Sequence, residues 1–134
     1  MQTNFKPELL AEPRERVVWR LSVPPSEAPA IATAIHADIE AEMLFDWGGG
    51  LIWASVGAGA PDGGAAAVRG ALAAHRAELG GGGHATLIRA PEGLRAAVDV
   101  FEPLPGPLAA LSARVKENFD PRRVLNPGRM YAGV

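Results

Sequence analysis

The chain has 134 residues, 48% of them hydrophobic and 21% charged, with a formal net charge of −2 and no cysteine. That length and balance suit one globular domain with a real core and exclude a disordered chain. The slight acidity argues against a nucleic-acid partner, because such binders draw most of their affinity from cationic neutralisation of phosphates. The lack of cysteine removes disulfides, thiolate metal sites and thiol nucleophiles.

Residues 1–13 are polar, hold two prolines and show no clean period, so they read as a linker or docking arm. From Glu15 to Val23 the chain alternates. Val17, Trp19, Leu21 and Val23 share one face, and Arg16, Val18, Arg20 and Ser22 the other, as in a half-buried strand. Pro24-Pro25-Ser26 ends it and opens a helix, with Ser26 as N-cap, Pro29 in the first turn and a stripe of Ala28, Ile31, Ala32 and Ile35. A second strand runs from about Asp38 to Trp47, with Ile39, Ala41, Met43, Phe45 and Trp47 inward and Glu40, Glu42, Leu44 and Asp46 outward. Gly48-Gly49-Gly50 supplies the turn to a third strand, Leu51 to Gly57. Pro61 and Asp62 precede a helix to about Leu79, striped by Val68, Leu72, His75 and Leu79 and closed by Gly80 to Gly83. His84 to Ala90 is a fourth strand. Its alternation leaves open whether His84, Thr86 and Ile88 or Ala85, Leu87 and Arg89 face outward.

This order predicts an α+β fold over residues 14–90, a ferredoxin-like βαββαβ sandwich with a four-stranded antiparallel sheet and both helices on one face. Residues 91–134 follow as an irregular proline-rich segment from Pro91 to Pro107, a helix from Leu108 to Phe119 striped by Leu108, Leu111, Val115 and Phe119, and an extended tail. The open face of the sheet is assigned Arg16, Val18, Arg20, Glu40, Glu42, Leu44, Asp46, Leu51, Trp53 and Ser55. Charges mixed with a large aromatic make it a candidate interface, for docking or for self-association.

Among candidate sites, Gly57-Ala58-Gly59-Ala60-Pro61-Asp62-Gly63 follows a strand and opens a helix. The third glycine of a dinucleotide fingerprint would fall at Asp62, whose charge repels pyrophosphate, so a plain turn is expected. His36, His75 and His84 show no zinc spacing, and no metal site is expected. His84, beginning a strand after four glycines, is the best of the three as a functional histidine. Glu40 and Glu42 share a strand face and are expected to face Arg16 and Arg20 across the sheet. No nucleophile elbow is present.

The most informative stretch is Phe119-Asp120-Pro121-Arg122-Arg123-Val124-Leu125-Asn126-Pro127-Gly128-Arg129-Met130-Tyr131. Pro121 ends the helix, Pro127 is expected to hold Asn126 extended, Gly128 permits close backbone approach and Arg129 offers a planar bidentate donor. Such a segment suits rigid packing against a surface.

This motif resembles the terminal signature of the FAD-linked oxidases of vanillyl-alcohol-oxidase type. Within that family the chain is similar to the FAD-binding (E) subunits of glycolate oxidase. The similarity also rests on Glu15-Arg16-Val17-Val18-Trp19-Arg20-Leu21-Ser22-Val23-Pro24, Asp46-Trp47-Gly48-Gly49 and Gly82-Gly83-His84-Ala85-Thr86-Leu87-Ile88-Arg89. The resemblance implies a cap or substrate-side region whose complete protein begins with a flavin domain holding FAD. It also implies a second flavin subunit and an iron–sulfur subunit as partners, together oxidising glycolate to glyoxylate. The terminal segment would return to the flavin domain with Asn126, Gly128 and Arg129 nearest that junction. His84, at the start of a strand after four glycines, and Trp53, on the open sheet face, are the substrate-side candidates by their own positions, and the resemblance assigns His84 no role. No glycine-rich pyrophosphate loop is present, so this stretch alone is expected to hold no FAD and to be inactive. No apolar run approaches the ~20 residues that cross a bilayer, and no signal-peptide core opens the chain. The expected location is the cytoplasm, with partner subunits able to hold the protein at the inner face of the membrane. The competing reading is a stand-alone ferredoxin-like domain for a small ligand or for dimerisation.

Overall fold

The structure, a computed structural model, describes residues 16–57, 59–80, 82–132 and 134; the arm expected at 1–13 lies outside them. The chain forms two compact units, one running to Val100 and the other from Phe101 to Val134. In the first, β1 (Val17–Ser22), α1 (Ala28–Asp38), β2 (Ala41–Asp46), β3 (Leu51–Val56), α2 (Ala65–Leu79) and β4 (His84–Arg89) follow one another, then a short helix α3 (Glu92–Ala97). The second contains α4 (Gly106–Phe119).

The sheet is wholly antiparallel in the order β2-β3-β1-β4, which is the strand arrangement of the expected split sandwich. β1 and β3 occupy the centre, and their period-2 alternation carries the core. Val17, Trp19, Leu21, Ile52, Ala54 and Val56 are buried with Ala28, Ile31 and Ile35 of α1 and Val68 and Leu72 of α2. The α1 stripe is buried as predicted, although its N-cap position falls to Glu27 rather than Ser26. Trp19 is the largest fully buried side chain. Its Nε1 donates to Gly63 O at 2.7 Å, and the Arg69 guanidinium lies 5.4 Å from its ring centroid, a cation–π distance. Gly63 takes φ +62°, and a Cβ there would sit 2.4 Å from Leu94 Cδ2, so this turn admits only glycine.

Several expectations are corrected. β2 ends at Asp46, and Trp47–Gly49 form a 3-10 turn in which Trp47 itself has φ +52°. Trp47, expected in the core, is therefore 82% exposed, and Phe45, though paired with the buried Ile52, is 42% exposed on the edge strand β2. Leu79, expected on the buried stripe of α2, is 62% exposed because the helix outruns the sheet. The segment after β4 is not wholly irregular: α3 interrupts it, and Leu94, Val98 and Val100 pack against the core. Val100 O accepts from Leu87 N at 2.8 Å, so the chain returns along the edge of β4.

Candidate functional site

The face of the sheet turned away from the core is built from three cross-strand rows. Asp46, Leu51, Ser22 and His84 form the first, and Leu44, Trp53, Arg20 and Thr86 the second. Glu42, Ser55, Val18 and Arg89 form the third, where a register shift between Val18 and Trp19 skips Ile88 and puts Arg89 opposite Val18. Ala85 and Leu87 are buried in the core. This settles the alternation of β4 in favour of His84 and Thr86 as outward residues, but beyond them the shift sets Arg89 rather than Ile88 in the outward row.

This face is not uniformly open. Val18 and Ser55 are buried, whereas Leu51, Ser22, Arg20, Trp53 and Thr86 are half-buried and His84 is exposed. Val18 and Trp53 both lie on the face expected for them, Val18 buried there and Trp53 half-buried. Trp53 Nε1 and Ser55 Oγ are buried without a hydrogen-bond partner, which is uncommon for such groups. The two substrate-side candidates thus share one face, Trp53 on β3 and His84 on β4, with β1 between them.

The expected charge pairing holds for one arginine. Arg16 Nη1 lies 3.1 Å from Glu42 Oε1, and its Nη2 donates to Ser55 O at 3.5 Å. Arg20 does not follow, since β3 separates it from the acidic β2. Arg16, His36, Glu40 and Glu42 also line a solvent-open cleft of about 960 Å³ with Gly57, Gly59 and Pro61. The Arg16–Glu42 pair crosses this cleft, where Glu40 adds a further carboxylate. Among the described residues, no three metal-ligating side chains come together, and no helix is long and apolar enough to cross a membrane.

The turn before α2 does not fit a pyrophosphate. Asp62 carries its own carboxylate to the helix N-terminus, where its two oxygens accept from Gly64 N at 2.9 Å and Ala66 N at 2.6 Å. The donors that would bind a phosphate are already satisfied by an internal anion.

His75 stands 3.7 Å from Glu27 between α2 and the start of α1, with both side chains mostly covered. His36 is exposed.

In the second unit the terminal motif is organised by a residue that the sequence marks only as part of an Asp-Pro helix stop. Asp120 is 6% exposed. Lys116 Nζ lies 2.8 Å from its Oδ2, and Val124 N and Leu125 N donate to its two oxygens at 2.9 and 2.8 Å. The lysine hydrogen bond, foremost, and the two amides hold its pKa well below the ordinary 3.8, at about 2. Lys116 also donates to Leu125 O at 2.5 Å, tying the helix end to the tail. A lysine one turn before an Asp-Pro stop was the available signal. Asn126 is not extended as expected but takes φ +47°. Asparagine tolerates that region, and it also avoids the right-handed helix that the following proline disfavours. Gly128, at φ +69°, donates its N–H to Val134 O at 2.8 Å. Asn126, Gly128 and Arg129 are all exposed.

The stripe of α4 points outward. Leu108 is 46% exposed, Leu111 53%, Val115 49% and Phe119 83%, and Val124, Leu125 and Met130 beyond it are exposed as well. The covered positions of α4 are Ala109, Ser112 and Lys116. An amphipathic helix that shows its apolar side to solvent is the mark of an interface.

The chain is 37% identical over 115 residues to the glycolate oxidase subunit GlcE of Escherichia coli K12, an alignment covering 86% of this chain and 26% of that protein. The likeness read from the motifs therefore stands: the chain is GlcE-like over most of its length and spans about a quarter of that relative. No family model and no solved structure matches it.

Proposed function

We propose that this chain is the cap, or substrate-side, region of the FAD-binding subunit of a glycolate oxidase, and that it works against a flavin domain supplied by the rest of that subunit. The observation that carries this reading is the 37% identity to GlcE across 86% of the chain. The exposed stripe of α4 and the apolar tail residues support it, because they offer the contact surface such a region needs. Asn126, Gly128 and Arg129 stand at the junction with the flavin domain. Trp53 and His84 lie on the substrate side. FAD belongs to the partner domain, since Asp62 fills the one loop whose context invited a phosphate. The region alone neither holds the flavin nor oxidises glycolate. A second flavin subunit and an iron–sulfur subunit complete the enzyme, which sits in the cytoplasm or at the inner face of the membrane through those partners.

The test is reconstitution in trans. A GlcE flavin domain and this chain, expressed separately, are mixed and run by size exclusion with absorbance at flavin wavelengths. Co-elution of flavin with the chain is the expected result. A chain that stays apart from the flavin domain at tens of micromolar (a regime corresponding to roughly −6 to −7 kcal/mol) overturns the reading.

A further inference from the structure

We propose that this chain associates with a second copy of itself, the β2–β3 hairpin of one copy seating against α4 and the tail of the other. The hairpin supplies a fixed aromatic anchor. Trp47 at its tip is 82% exposed and takes φ +52°, a left-handed backbone that strains a bulky residue and persists only where the surroundings impose it. Hydrogen bonds impose it here. Asp46 Oδ1 accepts from Trp47 N at 2.8 Å, Gly50 N donates to Trp47 O at 3.2 Å, and Val23 N donates to Gly50 O at 3.1 Å. Phe45, two residues back along β2, is also exposed. An indole held out to solvent by a strained, hydrogen-bonded turn loses little freedom on binding, and tryptophan is enriched among the residues that dominate interfaces.

Charge selects the occupant. From Asp38 to Gly57 the sequence has four acids, Asp38, Glu40, Glu42 and Asp46, and no cation. A surface that is apolar and acidic repels an anionic membrane and fits a surface that is apolar and basic. This chain carries one. Val115, Phe119 and the rest of the α4 stripe are exposed, as are Val124 and Leu125 beyond it. From Arg114 to Arg129 the sequence has five cations against two acids, and one of those acids, Asp120, is held by Lys116. Arg114 follows Leu111 by one turn and so borders the stripe, whereas the other acid, Glu117, falls on the opposite side of the helix. Each of the two surfaces thus carries what the other lacks. The stripe is the one offered above to a flavin domain, so the two associations compete for it. The self-association goes beyond that reading, because it rests only on side chains of this chain.

The test is sedimentation velocity on the 134-residue chain from about 5 to about 500 µM. A monomer at the lowest concentration should give way to a dimer, or to a longer series of copies, both of which a heterologous contact permits. The expected dissociation constant is on the order of 10–100 µM. Raising salt from about 0.05 to about 0.5 M should weaken association at least roughly threefold, since opposite charges are screened. Trp47→Ala should weaken it at least roughly tenfold; Trp47→Asn, which suits the same backbone, carries the test if the alanine variant does not fold. Val115→Glu sets an acid in the stripe and should weaken association as much, with Phe119→Ala as its substitute. Mixing the Trp47 variant with the stripe variant should restore association, because one copy keeps its hairpin and the other its stripe. A monomer at every concentration, indifference to either substitution, association that salt leaves unchanged or strengthens, or a mixture no tighter than its components would each overturn the proposal. A monomer that still binds the flavin domain in trans defeats self-association and keeps the oxidase reading; an associating chain that ignores that domain does the reverse.

Discussion

On α1 the regular stripe Ala28, Ile31, Ala32 and Ile35 is at most 6% exposed, whereas on α4 the equally regular stripe Leu108, Leu111, Val115 and Phe119 is between 46% and 83% exposed. By sequence pattern alone the two helices are equivalent. The difference is what each stripe has to lie against. α1 has a sheet of its own chain, whose inward residues arrive at the right spacing. Among the described residues of its own unit the stripe of α4 is left exposed, and its apolar area is available for association. An amphipathic period therefore reports that a helix has a partner, not where the partner is encoded.

Substitutions can break this contrast. Trp19→Ala removes a fully buried ring and its bond to Gly63, and is expected to cost about 3–5 kcal/mol of stability by denaturant titration. A loss below about 1 kcal/mol would mean that the first unit does not depend on its core as described. Gly63→Ala should cost about 1–3 kcal/mol, since the added Cβ meets Leu94 in a left-handed backbone. Phe119→Ala is the counterpart in α4. At 83% exposure it should change stability by less than about 0.5 kcal/mol yet weaken association with a flavin domain by about 1–2 kcal/mol, a part of what burying a phenylalanine contributes. Loss of folding with association intact would invert the comparison.

The smallest effect concerns the tail. The Asp120 carboxylate is held at about 2, below its unfolded value, so its contribution to tail order is present above pH ~4 and lost as pH falls through ~2. The Val124 and Leu125 amide shifts should titrate with a midpoint near 2. Lys116→Ala should move that midpoint upward, since the lysine hydrogen bond is the main cause of the shift. A midpoint already near 3.8 in the unaltered chain would show that the carboxylate is not so held.

Much of the sandwich was legible because β1 and β3 are central strands with one face against the helices, and such strands write their burial as a period of two. The readings failed where other forces intervene. The core assignment of Trp47 ran past the point where Asp46 accepts from Trp47 N at 2.8 Å and turns the chain. The register shift in β4 moves Arg89 beside Val18, which no alternation in a single strand reveals. On the candidate site, Trp53 and His84 were picked out individually, but Arg20 between them was assigned to an acidic neighbour. Strand order, which decides that β3 separates Arg20 from Glu42, is not written in any one strand. Asp120 was seen as a helix stop, and its role in gathering two tail amides and a lysine depends on a fold-back that spacing does not display.

The return of Val100 to Leu87 has a consequence for how copies of this chain meet at high concentration. An unpaired strand edge is the template on which sheets grow by addition of further chains. At β4 the chain itself occupies part of that margin, with Val100 O on Leu87 N and Arg95 Nη1 donating to Ile88 O at 3.2 Å. Among the described residues this leaves β2 as the other margin, and its outward side chains include Glu42 and Asp46. Among the described residues the sheet is partly covered at one margin and carries acidic side chains at the other, so joining through β2 favours a pair over continued edge-to-edge growth.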